Sequence, residues 1–263
     1  MLTIVSKRRA ILAQTKKRFK MRKFLHPLYV LYQFVFAIWA GIILTFLASF
    51  AIWFFGGVLK VKNGDYYPAV IWCRLMCIIF LIPIKIVGRK ENVAKDRNYV
   101  FVANHQGMFD IFILYGYISK NFKWMMKKQL RKVPMLGLAC EKTDHVYVDR
   151  TTPQKDLLRK SLNILKGGKS MTIFAEGTRS NDGKLGSFKK GAFVVANMAQ
   201  MPVLPITIQG AYDILPKGCF CAHWSPVTLT FHPAIECKGR DSENVEYLMR
   251  ETRSVIAKTL GEE

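Results

Sequence analysis

The sequence predicts an α/β domain, its mixed, largely parallel sheet covered by helices, carried on an N-terminal helical membrane anchor. Three observations lead there. Pro27 to Leu59 is apolar, with no ionisable side chain except Tyr29 and Tyr32. From about residue 85 onward, short β-branched or apolar runs alternate with helical patterns, as strands and their covering helices do. The third is charge: 40 Lys+Arg oppose 18 Asp+Glu, a net +22 over 263 residues, and both flanks of the apolar region are basic.

Residues 1–25 carry Lys7, Arg8, Arg9, Lys16, Lys17, Arg18, Lys20, Arg22 and Lys23, and no acid. The apolar stretch that follows exceeds the roughly 20 residues a helix needs to cross the hydrocarbon core. It is too long for the apolar core of a signal peptide, and no small-residue cleavage site is evident; Gly56-Gly57 marks its expected end. After a polar turn from Lys60 to Tyr67, Pro68 to Ile84 is apolar apart from Arg74. That suits an interfacial or re-entrant helix with Arg74 snorkelling to the headgroups. With Lys85, Arg89, Lys90, Lys95 and Arg97 beyond, the positive-inside rule places both ends on the cytoplasmic side, as a hairpin or a shallowly embedded helix pair. The expected division is 1–84 for the basic N-terminus and two-helix anchor, and 85–263 for the α/β domain.

Strands are expected at Tyr99–Ala103, His145–Val148, Met171–Ala175, Val203–Gln209 and Val227–Phe231, and helices at Phe109–Ser119, Pro153–Leu165, Gly191–Ala199 and Asn244–Leu260. The charge excess needs an anionic partner. Beside an apolar span, and without a nucleic-acid motif, an anionic membrane surface fits better than nucleic acid. Lys123, Lys127, Lys128, Arg131 and Lys132, interleaved with Trp124, Met125, Met126 and Leu130, suit that interface. The six cysteines are scattered, which points to reduced thiols. Cys219, Cys221 and His223, with His232 and Cys237 beyond, have the donor types for zinc but lack its usual C-x2–4-C spacing.

The chemistry concentrates at strand ends. Tyr99–Ala103 runs into Asn104-His105-Gln106-Gly107-Met108-Phe109-Asp110. On a regular helix His105 and Asp110 would lie about 140° apart. With His105 in the loop and Asp110 in the first helical turn, the carboxylate can hold one imidazole nitrogen and leave the other free as a base. Gly107 permits the bend. Met171–Ala175 likewise ends in Glu176-Gly177-Thr178-Arg179-Ser180, where Arg179 offers a planar fork for a phosphate and Gly177 allows close backbone approach. Ligands in α/β sheets bind beyond the carboxyl ends of strands.

Asn104-His105-Gln106 with Asp110, then Glu176-Gly177-Thr178-Arg179-Ser180, resembles the glycerolipid acyltransferase family, most closely the 1-acylglycerol-3-phosphate acyltransferases. Val146-Tyr147-Val148-Asp149-Arg150 resembles its second block and Val203-Leu204-Pro205-Ile206 its fourth. The four blocks stand in order over about 104–206, and the N-terminal helices are placed as in bacterial members. Gly107 stands where serine is usual, and Ala175 where proline is; neither departure removes a reacting atom.

The resemblance implies acyl transfer from acyl-CoA or acyl carrier protein to the sn-2 hydroxyl of 1-acylglycerol-3-phosphate (lysophosphatidic acid), giving phosphatidic acid. Neither a metal nor a bound cofactor is expected. His105 and Asp110 would be catalytic. Arg150, Glu176, Gly177, Thr178 and Arg179 would bind substrate, Arg150 on the resemblance alone, and Glu176 either fixing its turn or touching the acceptor. Backbone N–H groups after His105 are candidates for stabilising the oxyanion. No Ser or Cys stands beside the base, so attack is expected to be direct. A membrane-anchored binding module would leave the His105/Asp110 pair unused, and a metal-dependent phosphohydrolase lacks a second His/Asp cluster.

Overall fold

The computed structural model describes residues 25–132, 137, 145–148, 154–216 and 218–262. Seven strands form one sheet in the order β1-β7-β6-β2-β5-β3-β4. They are β1 (Ile84–Val87), β2 (Val100–Ala103), β3 (Phe122–Lys127), β4 (Val146–Val148), β5 (Ser170–Phe174), β6 (Val203–Gln209) and β7 (Val227–Phe231). Neighbours pair in parallel except β6 with β7, so the sheet is mixed and largely parallel as expected.

The helices are α1 (Leu25–Val58), α2 (Tyr66–Ile79), α3 (Arg89–Asn92), α4 (Phe109–Tyr117), α5 (Gln154–Lys166), α6 (Gly191–Ala199) and α7 (Ser242–Leu260). Strand alternation sorts the core into two layers. Phe101 and Ala103 of β2 face the cluster containing α2 and α4, while Val100 and Val102 face the one containing α6 and α7. A central strand flanked on both faces must be apolar throughout, and every residue of β2 is buried.

α1 is long and apolar enough to cross a membrane, whereas α2 has 14 residues. The two helices run antiparallel. Tyr29 and Tyr32 of α1 donate to the carbonyls of Phe80 and Ile79 at the end of α2 (2.6 and 2.8 Å), satisfying groups that a helix C-terminus leaves open. α2 also belongs to the sheet's core: Ala69, Val70, Cys73 and Cys77 are buried with Ile113 and Leu114 of α4, while Tyr67, Ile71 and Ile78 stay exposed on the opposite face.

Arg74 corrects its expectation. Instead of reaching for headgroups, its Nε donates to Gly116 O (2.6 Å) and its guanidinium lies over the Tyr117 ring. Arg89 donates to Tyr117 O (2.8 Å). The two cations thus meet the negative end of the α4 dipole. The basic cluster is corrected in part: Lys123 (1% exposed) and Trp124 lie inside the fold on β3, whereas Lys128 and Lys132 are exposed. Lys123 Nζ meets Asp65 Oδ2 at 2.6 Å, and Asn121 donates to Asn63 (2.8 Å), tying the α1–α2 turn to β3. Beside this pair, Trp124 N donates to His145 Nδ1 (3.2 Å), and burial together with Lys123 and Lys169 pushes the His145 pKa down to about 3, keeping it a neutral acceptor.

A buried ammonium stripped of its partner costs about 3–5 kcal/mol, whereas removing both members of the pair costs less. Asp65→Ala should therefore lower the unfolding temperature clearly more than Lys123→Met/Asp65→Ala does. Equal losses in thermal denaturation of the detergent-solubilised protein would show that the pair does not hold the turn.

Candidate active site

β2 and β5 are adjacent and parallel, with Ala103 opposite Phe174. The turns that leave them are therefore level, His105 beside Glu176, and hydrogen bonds weld them together. Glu176, buried, accepts from His105 N through Oε1 (2.8 Å) and from Gly186 N through Oε2 (2.9 Å). Ser180 N donates back to His105 O (2.8 Å). Of the two roles expected for Glu176, it performs the first and fixes its turn. Burial pushes its carboxyl pKa up, opposed by these backbone donors. On the other side Asn104 extends the β2–β6 ladder with its side chain, donating to Ile208 O (2.9 Å) and accepting from Ile208 N (2.8 Å).

His105 and Asp110 come together as the spacing predicts. His105 Nδ1 lies 2.8 Å from Asp110 Oδ2, which also accepts from Gln106 N (2.6 Å) and Gly107 N (2.8 Å). An oxygen receiving two amide donors takes a third donor from the ring, so Nδ1 carries the proton and Nε2 keeps its lone pair. Asp110 is completely buried in the first turn of α4. Burial raises its carboxyl above the ordinary aspartate range, against the pull of His105, Gly107 and Gln106.

Of the amides in the turn after His105, those of Gln106 and Gly107 are engaged by Asp110 and so are not free to meet an oxyanion. Gly107 has an ordinary negative φ, and space beside it is tight: an added Cβ would sit 3.1 Å from Ala211 O.

The imidazole is held on its face as well. The Phe174 ring stacks on His105 at a centroid distance of 3.8 Å and 10° between planes, with Trp124 stacked behind Phe174 (5.4 Å, 24°). Gly177 takes a positive φ of 72°, and Gly177, Thr178 and Arg179 are exposed. The Lys189 side chain covers Gly177, so close that an added Cβ would lie 3.0 Å from Nζ. Among the described residues Arg179 and Lys189 have no ion-pair partner, leaving two cations on this turn. Arg150 lies outside the described residues.

The sequence reading missed Phe174, Gly186 and Lys189 as parts of the site. Phe174 was visible only as a strand residue, and Gly186 sits beside Glu176 through a fold of the loop that no local pattern announces. The zinc-type residues stay apart: His232 bonds Thr207 (2.8 Å), His223 stacks on His26, and no group of three or more potential metal ligands forms among the described residues.

A mixed, largely parallel sheet with a His-Asp pair and a cationic turn just past the ends of two adjacent strands defines an α/β fold whose candidate site lies beyond the carboxyl ends of its strands. Residues 85–209 match the Acyltransferase family model. An uncharacterized acyltransferase of Schizosaccharomyces pombe is 30% identical over 204 residues, covering 76% of this chain and 73% of that protein. The chain belongs to the acyltransferase family.

The chloroplastic 1-acyl-sn-glycerol-3-phosphate acyltransferase LPAT1 of Arabidopsis thaliana is 34% identical over 232 residues, 86% of this chain. The chain spans 63% of that relative's length. The crystal structure of the 1-acyl-sn-glycerophosphate acyltransferase PlsC from Thermotoga maritima superposes with a TM-score of 0.76 at 28% identity, over 92% of this chain and 97% of that one.

Glu176→Gln should loosen the paired turns. An amide offers one acceptor, so either His105 N or Gly186 N then faces an NH2 group. A buried donor left unpaired costs about 1–3 kcal/mol. Hydrogen exchange should accelerate at the His105 and Gly186 amides; unchanged protection at both would show that Glu176 does not join the turns.

Proposed function

We propose that this protein is a 1-acylglycerol-3-phosphate O-acyltransferase, moving an acyl group from acyl-CoA or acyl carrier protein to the sn-2 hydroxyl of lysophosphatidic acid. The observation that carries the reading is the His105–Asp110 pair with Nε2 free, set level with a turn bearing two unpaired cations. The names of the plant and bacterial relatives point to the same acceptor.

His105 Nε2 takes the proton of the acceptor hydroxyl as its oxygen attacks the thioester carbonyl carbon. The C–S bond then breaks, and the thiolate leaves with the proton returned by the imidazolium. Asp110 keeps the ring in the productive tautomer, and its charge favours the imidazolium. Phe174 offers that cation a π face. Arg179 grips the acceptor phosphate with Lys189 beside it, and the family resemblance adds Arg150 to the substrate-binding residues. Gly177 and Thr178 shape the turn for close approach. The chemistry needs neither metal nor bound cofactor, because hydroxyl and thioester supply every atom exchanged. α1 lies in the membrane, and the basic residues that flank it hold the catalytic domain against the anionic cytoplasmic surface, where both lipid and soluble donor are available.

His105→Ala should lower kcat about 10²-fold or more with a near-native unfolding temperature, and Asp110→Asn should lower kcat about 10²- to 10⁴-fold. A His105→Ala enzyme that keeps most of its rate in a thiol-release assay sinks this mechanism. Arg179→Ala should chiefly raise the KM for lysophosphatidic acid while sparing an uncharged monoacylglycerol, and Arg179→Lys should recover only part of the loss. Equal damage on both acceptors would make Arg179 a structural residue.

A further inference from the structure

The segment Ile214–Trp224, between β6 and β7, has no part in the chemistry above, yet it presents the most exposed large apolar side chain among the described residues. Phe220 is 97% exposed, and Trp224 is 43% exposed four residues on. Isolated exposed apolar residues are ordinary; the position of this pair is not.

The segment is clamped to the first part of α1. Gln33, which is buried, donates to Ala222 O and accepts from Ala222 N, both at 2.8 Å. His26 stacks on His223 with ring centroids 4.5 Å apart. Gln33 opens a π-helical stretch of α1 (Gln33–Ala37), and its amide is the polar group that this apolar helix turns toward the loop. In the same part of α1, Leu25, Leu28, Leu31 and Phe34 are exposed, so the loop is held beside a stretch of helix whose other faces are apolar and uncovered.

Charge names the partner. From Ile214 to Trp224 the sequence ILPKGCFCAHW has a lysine and no acid, and α1 is preceded by residues 1–24 with nine Lys+Arg and no acid. Apolar tips beside a strongly basic, acid-free stretch match an anionic lipid surface, aromatic rings at the headgroup level and cations on the phosphates.

We propose that Ile214–Trp224 is a second membrane contact, with Phe220 inserted among the lipids of the leaflet that receives the start of α1. The proposal rests on the reading of α1 as membrane-embedded. It also assigns the contact a consequence. The segment continues from Ala211, whose carbonyl borders Gly107, and from Tyr212, which donates to Asn181 O (2.9 Å) and packs on Gly183. Gly183 O in turn accepts from Gln106 beside His105 (3.2 Å). A loop seated in the bilayer therefore sets how the His105 turn faces the surface that delivers its lipid.

The test uses full-length protein in phosphatidylcholine/phosphatidylglycerol vesicles, with Cys140, Cys219, Cys221 and Cys237 changed to Ser. Single nitroxides are placed by Phe220→Cys on the loop, Trp39→Cys on the exposed face of α1 and Arg253→Cys on the exposed face of α7. Collision rates with oxygen and with an aqueous nickel chelate are compared. Labels at 220 and 39 should favour oxygen, and the label at 253 nickel. A lipid-facing 39 with a water-facing 220 overturns the loop contact and leaves the embedding of α1 intact. Water-facing labels at both overturn the embedding itself. Dipolar broadening between labels at 220 means that a second copy covers the loop, which also overturns the proposal. As a second readout, Phe220→Asp should raise the KM for vesicle-borne lysolipid about tenfold and leave that for a monomeric short-chain lysolipid unchanged. An equal rise on both counts against the contact.

Discussion

One carboxylate oxygen constrains the whole site. Asp110 Oδ2 accepts from an imidazole nitrogen and two consecutive backbone amides, all within 2.8 Å. A buried carboxylate without partners is untenable, and this one survives because three donors converge on it at the N-terminal, positive end of α4. The chain has to turn sharply between Ala103 and Phe109 for those amides to point inward, and α4 has to start where it does. The tautomer of His105, the engagement of the Gln106 and Gly107 amides, and the depth of α4 against the sheet all follow from that oxygen.

A turn fixed at one point would still be free to rock. Asn104 and Glu176 remove that freedom by fastening it to both neighbouring strands, Asn104 to β6 through Ile208 and Glu176 to the turn beyond β5. Side chains here substitute for the backbone ladder one step past the end of the sheet, where strands diverge and main-chain pairing ends. His105 is then held at its backbone by Glu176, at its ring edge by Asp110 and on its ring face by Phe174. An imidazole held at its backbone, ring edge and ring face has little freedom left to reorganise.

Much of this was legible, for identifiable reasons. β2, β4, β5, β6 and β7 read correctly because the strands are short, uninterrupted apolar runs, and α4 to α7 read correctly from their pattern and flanking turns, while the short α3 went unread. β3 was not read either. Its Lys123 looks like a surface charge, and only the Asp65 carboxylate, delivered from 58 residues away, makes a buried lysine possible. β1 was hidden in the basic flank after α2 because it pairs only with β7, at the sheet edge. Within the site, the His105–Asp110 contact depends on five residues of local geometry, so spacing alone announced it. The Gly186–Glu176 bond and the Lys189 cover over Gly177 depend on how a loop closes, and spacing is silent about that.

The apolar helices and the α/β domain are not independent pieces. α2 buries one face in the same cluster as α4 while exposing the other, and Arg74 on α2 holds the carbonyl at the far end of α4 from Asp110. α1 holds α2 by its C-terminal carbonyls through Tyr29 and Tyr32, and its turn into α2 is bolted to β3 by Asp65. A force that tilts α1 is passed through packed side chains to the helix whose first turn carries the orienting carboxylate, because close-packed interiors transmit displacement rather than absorb it. The position of the apolar helices thus constrains the direction in which His105 can face.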